Sequence, residues 1–326
     1  MLFAYVHLLS FEPLSKKHTM KKIGILVLSA AFALGACKKT EDTPAVSTYP
    51  TDGLKVSNQQ VVFVMEETGA WCQFCPNGAA SMVELVATHG DKVLPMAVHS
   101  GDPLTAPIGG ILRTNFPAGG VPNFYVMNED ASQSPLNKIS AYINEVPVLG
   151  VTHAVLTTDT SWNVYPKIEF FESVLNEDYL INSYVIFDAV LAKDYGNNID
   201  LNQTSSVPVA GGSNPTKWLQ DAAFVAGEPQ IKAGDDYYHE ESVVGTSNAV
   251  NPWGKAVADV NPFGREYIEG DILGTKSSSI LISLPKVSKG PLQTDISIYT
   301  IVWRLRTDGS GDYDYVNGYK SHLGGN

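Results

Sequence analysis

Three cysteines, 22 basic residues against 34 acidic ones, and no apolar run of membrane-spanning length mark what this 326-residue chain lacks. Each shortage excludes something. A formal charge of −12 with no basic cluster makes a poor nucleic-acid binder. No glycine-rich loop with a following Lys and Ser or Thr is present to cradle phosphates, and no repeated Cys-x-x-Cys to hold structural zinc. No cofactor is expected. After residue 36 no stretch approaches the ~20 apolar residues of a membrane helix, so the remainder reads as a folded, non-spanning chain. An apolar fraction of 44% is ordinary for a globular protein.

The cysteines that are present are informative by position. Trp71-Cys72-Gln73-Phe74-Cys75-Pro76 follows an apolar run, Val61 to Met65, that reads as a buried strand. It precedes a segment, Asn77 to His89, with apolar residues at Met82, Val83, Leu85 and Val86, a helical spacing. Two thiols at a strand-to-helix turn point to dithiol chemistry. Free backbone N–H groups and the positive end of the helix dipole stabilise a thiolate there, drawing a thiol pKa of about 8.5 down toward ~4–7. Cys72 is the candidate nucleophile and Cys75 the resolving thiol, and Pro76 suits a first turn in which its missing N–H has no partner.

These residues resemble the thioredoxin superfamily, whose site reads Trp-Cys-x-x-Cys at the start of a helix after a central strand. Gly120-Val121-Pro122, followed by apolar Phe124-Tyr125-Val126, is similar to that superfamily's cis-proline loop. The resemblance implies that Pro122 lies against the cysteine pair, that Val121 and Trp71 help dock a substrate, and that Glu66 is the buried acid serving the resolving cysteine. Glu67 is adjacent to it, and strand alternation sends the two side chains to opposite faces. The dipeptide between the cysteines is Gln73-Phe74 rather than the Gly-Pro of thioredoxin, so thioredoxin's reducing poise is not carried over.

From Met20 the chain runs Lys21-Lys22, an apolar stretch from Ile23 to Leu34, then Leu34-Gly35-Ala36-Cys37, which resembles a bacterial lipoprotein signal with its lipobox. On this reading residues 1–19 are an upstream extension, 20–36 the signal peptide, and Cys37 the lipidated first residue. Removing residues 1–36 takes away four lysines and one glutamate, leaving 18 basic against 33 acidic residues, or −15. Residues 37–57, rich in Thr, Pro, Ser and Asp, read as a tether. The expected location is the bacterial cell envelope, anchored to the outer membrane on its periplasmic or cell-surface face.

The expected architecture is an α/β thioredoxin-like domain over 58–147 followed by an all-β antiparallel sandwich domain over 148–326. In the first, Lys92 to Val98 reads as a strand in an edge or irregular position because of Pro95, Pro135 to Val146 as a closing helix, and His99 as a hydrogen-bonded loop histidine. In the second, runs at 151–157, 167–171, 184–191, 237–244, 278–284, 296–305 and 314–319 show strand character. Asn251-Pro252-Trp253-Gly254 and Asn261-Pro262-Phe263-Gly264 look like related turns. Asp308 to Asp314 reads as a hairpin turn rather than a calcium loop, and Tyr237 to Glu241 as a strand rather than a metal site, so no metal is expected. Tyrosine and tryptophan at strand spacing read as core.

The whole resembles outer-membrane-protein-like lipoproteins that join a thioredoxin-like domain to a β-rich one. Two functions follow as expectations. One is a membrane-anchored thiol-disulfide oxidoreductase acting on protein thiols and disulfides. The other is a binding, adhesion or structural envelope lipoprotein, with envelope proteins as partners, in which the cysteine pair is a structural disulfide.

Overall fold

The computed structural model describes residues 48–72, 74–132, 135–191, 238–287 and 296–323. Residues 1–37, on which the expected upstream extension, signal peptide and lipidated Cys37 fall, lie outside them. The order opens with β1 (Val62–Thr68), α1 (Cys75–His89), β2 (Val93–His99), α2 (Gly109–Asn115), β3 (Asn123–Val126), β4 (Glu129–Ser132) and α3 (Leu136–Tyr142). Then come β5 (Leu149–Thr157), β6 (Ser161–Phe170), β7 (Val174–Leu175), β8 (Tyr179–Leu191) and β9 (Tyr238–Thr246). The chain continues through β10 (Lys255–Ala256), β11 (Glu266–Tyr267), β12 (Ile272–Leu273), β13 (Ile282–Pro285), β14 (Ile296–Leu305) and β15 (Tyr313–Leu323).

The fold is β-rich, and its main sheet is continuous across the expected domain boundary. Nine strands join in the order β15-β14-β8-β9-β2-β1-β3-β4, with β10 added on β8. β1 runs parallel to β2, β2 meets β9 in parallel at Ala97 and Ser242, and β3 is antiparallel to β1. Residues 58–147 and 148–326, expected as separate domains, therefore share one sheet; they also share a core. Phe63, Phe116 and Phe124 pack in the same cluster as Tyr184, Tyr299, Trp303 and Tyr315. Phe63 stacks on Tyr315 at 5.0 Å and meets Trp303 edge-on at 5.7 Å.

A second core lies on the other face of the sheet. There β5, β6, β12 and β13 form a four-stranded sheet whose Leu149, Val164, Ile168 and Leu284 pack on Ile181, Val185, Phe187, Ile298 and Val302. Alternate residues of β8 and β14 thus serve different cores: Tyr184 and Ile186 face one, Val185 and Phe187 the other. Two sheets thus pack face to face, and the larger one extends into β1 and β2, the strands that flank the cysteine-bearing turn and helix.

Three local differences have physical causes. β2 is internal to the sheet rather than at its edge, yet Pro95 is tolerated because β9 registers with β2 only at Ala97, so no ladder bond is asked of the proline on that side. Residues 49–57, expected as part of a free tether, include docked positions. Buried Thr51 donates to Gly274 O at 2.7 Å, Lys167 Nζ to Leu54 O at 2.8 Å, and Ser57 O lies so close to Gly150 that a Cβ there would stand 2.3 Å away. α3 spans only Leu136–Tyr142 of the helix expected to reach Val146, and Val146 is exposed; Pro147 disfavours the helical conformation at the residue before it.

Candidate functional site

β1 is buried along almost its whole length, and α1 follows it after a six-residue turn. Gly69 starts the turn where only glycine fits: a Cβ would lie 2.7 Å from Trp71 Nε1 and 3.1 Å from Ser100 O. Cys72 N donates to Gly69 O at 2.9 Å, and Cys75 N to Cys72 O at 3.3 Å, so the chain coils into the helix before α1 formally begins. Cys75 opens α1 and Pro76 sits in its first turn, with no side-chain cap on the free N–H groups.

Cys72 and Cys75 form a disulfide, with Sγ atoms 2.13 Å apart and Cα atoms 5.4 Å apart. Both sulfur-bearing residues are buried, at 3% and 1% exposure, whereas Trp71 and Phe74 beside them are 58% and 45% exposed. An apolar rim therefore surrounds a covered sulfur pair. The Val121–Pro122 peptide is cis, and Val121 O lies 3.6 Å from Cys72 Sγ, which places the Gly-Val-Pro loop beside the disulfide.

Glu66 and Glu67 separate as strand alternation requires. Glu66 is 2% exposed, its Oε1 has no hydrogen-bond partner, and burial pushes its pKa up to about 8 against the lowering effect of a hydrogen bond with Thr68. Its carboxyl lies under α1 beside the proline loop: a Cβ on Gly78 would stand 2.1 Å from Glu66 Oε1 and 3.0 Å from Pro122 Cβ. Glu67 instead pairs with Arg113 of α2 at 3.3 Å. Burial raises its pKa, with Arg113 opposing.

The structure thus gathers Cys72, Cys75, Val121, Pro122, Glu66 and Trp71 around one turn. Sequence reasoning passed over Gly78, whose place three residues after Cys75 on the helix face toward the sheet was the available signal. It also passed over Asp102, spaced i,i+3 from His99. His99 is hydrogen-bonded, as expected, but from the buried end of β2 rather than from a loop. His239, from the segment weighed as a possible metal cluster, stacks edge-on against His99 at 5.2 Å. Asp308–Asp312 forms the β14–β15 turn, with Arg306 N donating to Asp312 O at 2.8 Å and Asp308 Oδ1 accepting from Ser310 N at 2.9 Å.

No family model matches this chain, and neither does any curated protein. Among solved structures, HBP35 of Porphyromonas gingivalis is similar to it, with a TM-score of 0.52 and 16% identity over 82% of this chain and 77% of that one. An Agrobacterium tumefaciens protein matches 84% of this chain and 96% of its own at 13% identity and a TM-score of 0.41. At these identities the likeness to HBP35 is one of fold alone.

Proposed function

We propose that this chain is a lipid-anchored, extracytoplasmic thiol-disulfide oxidoreductase that acts on protein disulfides. The observation that carries the reading is the meeting of the Cys72–Cys75 disulfide, the cis Val121–Pro122 peptide and the buried Glu66 carboxyl at one strand-to-helix turn. The reading is supported by α1 entering directly after β1 and by the proline loop lying directly before β3, the two placements on which the thioredoxin resemblance rests.

In the reducing direction, the Cys72 thiolate attacks one sulfur of a substrate disulfide and releases the other as a thiolate, leaving a mixed disulfide. Cys75, deprotonated toward Glu66, then attacks Cys72 Sγ and expels the second substrate thiolate. The substrate gains two electrons and the pair loses two, closing the disulfide seen here; a partner dithiol restores the reduced pair. In the oxidising direction the same steps run backward. Trp71 and Phe74 offer an apolar surface to the polypeptide around the substrate sulfur, and Val121 O lies beside it. The envelope location and the anchor at Cys37 rest on the sequence motif alone, and the thioredoxin-like character of the first strands on motif and on the placement of α1 and the proline loop.

A second reading, a binding or structural lipoprotein with an inert disulfide, is favoured by the burial of both cysteines. The reduction potential decides between them. With Cys37→Ser in the whole chain, equilibration in glutathione buffers followed by thiol trapping measures the remaining pair. A potential between about −120 and −270 mV, the range of exchange proteins, supports the oxidoreductase; one below about −300 mV supports the structural disulfide.

A further inference from the structure

The turn that carries Cys72 is held from the end of β2. Ser100 N donates to Thr68 O at 3.0 Å, and Trp71 Nε1 to Ser100 O at 2.6 Å. Between these, Ala70 N donates to Asp102 Oδ2 at 2.7 Å, and His99 Nδ1 meets the same oxygen at 2.7 Å. Leu104 N donates to Asp102 Oδ1 at 2.9 Å. The side chains of His99 and Asp102 are 2% and 4% exposed, and His99 is backed by the ring of His239 on β9. Burial opposes ionisation of Asp102, but the hydrogen bond and charge of His99 and the two backbone N–H groups outweigh it, and the net pKa is lowered. Asp102 is therefore a carboxylate at neutral pH, and Nδ1 of His99 is the donor.

We infer that His99 and Asp102 are positioning residues for the dithiol site. Asp102, oriented by His99, braces Ala70 and the turn that holds Cys72, and so sets the stability of the Cys72–Cys75 disulfide relative to the dithiol. The inference rests on the redox reading of the site. Three donors converge on two oxygens, which only a carboxylate satisfies: an amide at position 102 would turn its own N–H toward the backbone N–H of Ala70 or of Leu104. Closing a disulfide depends on how closely the two sulfurs are held together, so a turn freed at Ala70 lowers the effective concentration of one thiol at the other. Loss of the brace makes the pair easier to reduce. Because His99 is packed by His239, the C-terminal half of the chain supports the cysteine turn through this pair.

The test is the redox equilibrium of the whole chain carrying Cys37→Ser, read by thiol trapping in glutathione and in dithiothreitol buffers. Asp102→Asn shifts the equilibrium about tenfold toward the dithiol, about 30 mV for a two-electron couple. His99→Phe, which keeps the ring packing and loses the bond, shifts it severalfold in the same direction. His99→Asn, whose amide nitrogen reaches the place of Nδ1 and donates to Asp102, stays within about twofold of the parent, a rescue that a purely space-filling role would not produce. The inference is overturned if folded Asp102→Asn and His99→Phe both lie within about twofold of the parent, or if His99→Asn shifts as far as His99→Phe. Should Asp102→Asn fail to fold, the two His99 variants decide. A parent pair reducible only by dithiothreitol would instead sink the oxidoreductase reading, while the relative shifts remain measurable.

Discussion

Gly78 lies directly over the buried carboxyl of Glu66, close enough that any side chain there would overlap Oε1. Glycine inside a helix costs about 1 kcal/mol relative to alanine, so Gly78→Ala would ordinarily stabilise α1. Here the new methyl meets a carboxyl with no exposed route of retreat and Pro122 Cβ at 3.0 Å. The expected result is a loss of ~1–3 kcal/mol, the usual cost of overpacking. In a Glu66→Ala background, where only the looser contact with Pro122 remains, the same change costs clearly less. Urea unfolding of the four proteins of this double-mutant cycle measures the coupling; additive effects would show that the contact is not the cause.

The pKa of Glu66, raised from 4.5 to about 8, makes a signed statement about stability. The folded state holds its proton where the unfolded state has lost it. The associated stability is fully present below about pH 4.5 and is lost as pH rises through about 8. Glu66→Gln cannot titrate, so its stability relative to the parent improves by ~3–5 kcal/mol between pH 4.5 and 8.5. Denaturation at four or five pH values tests this, and parallel curves for the two proteins would contradict it.

On the proposed chemistry, Cys72→Ser abolishes exchange with a substrate disulfide, because no thiolate remains at the helix entrance. Cys75→Ser retains the first attack and loses resolution, so it accumulates mixed disulfides with partner proteins. Non-reducing electrophoresis of cells expressing each variant reads both outcomes. Equal trapping by the two variants would contradict the assignment of nucleophile and resolver.

Much of the site was legible because its determinants are local. The Cys-x-x-Cys spacing, Pro76 at the helix start and Gly-Val-Pro before an apolar strand each report on their own few residues, and strand alternation separated Glu66 from Glu67. The division into two domains misled because strand pairing is not local: β2 joins β9 across a long stretch of sequence, and nothing in either strand names its partner. A signal was nonetheless available. Tyr184-Val185-Ile186-Phe187 and Tyr299 to Trp303 hold residues buried on both faces, the mark of strands covered by two layers rather than of a sandwich with one wet face. The His99–Asp102 pair escaped because its meaning depends on Ala70, which only the fold brings near.

The two Asn-Pro-aromatic-Gly turns share a geometry and differ in surroundings. In each, the asparagine Oδ1 accepts from the aromatic residue's N–H, at 3.1 Å for Asn251 and 3.2 Å for Asn261, and Nδ2 donates to the glycine carbonyl. Trp253 is buried against Trp303, whereas Phe263 is exposed. Both glycines have positive φ, +94° at Gly254 and +66° at Gly264, but a Cβ on Gly254 would lie 2.1 Å from Ile181 O while Gly264 has open space. Gly264→Ala is expected to cost ~1–2 kcal/mol of backbone strain, and Gly254→Ala at least ~2 kcal/mol more because β8 backbone must move. Equal losses in thermal or chemical unfolding would refute the difference.

His153 ties the second sheet to the first. From β5 its Nδ1 meets Thr300 Oγ1 on β14 at 2.8 Å and its Nε2 meets Ser321 Oγ on β15 at 2.6 Å, while Thr300 Oγ1 also meets Ser183 Oγ on β8 at 2.8 Å. Burial lowers its pKa from 6.5 to about 3, so the folded protein keeps the ring neutral where the unfolded chain would protonate it. The sign is opposite to that of Glu66: the stability is fully present above about pH 6.5 and is lost as pH falls toward 3. Each pH unit in that window removes about 1.4 kcal/mol. His153→Gln, which keeps a donor and an acceptor but does not titrate, is less stable at pH 7.5 and loses stability more slowly on acidification, so the two curves converge toward pH 4. Curves of constant separation from pH 7.5 to 4 would mean that His153 is protonated as readily in the folded chain as in the unfolded one.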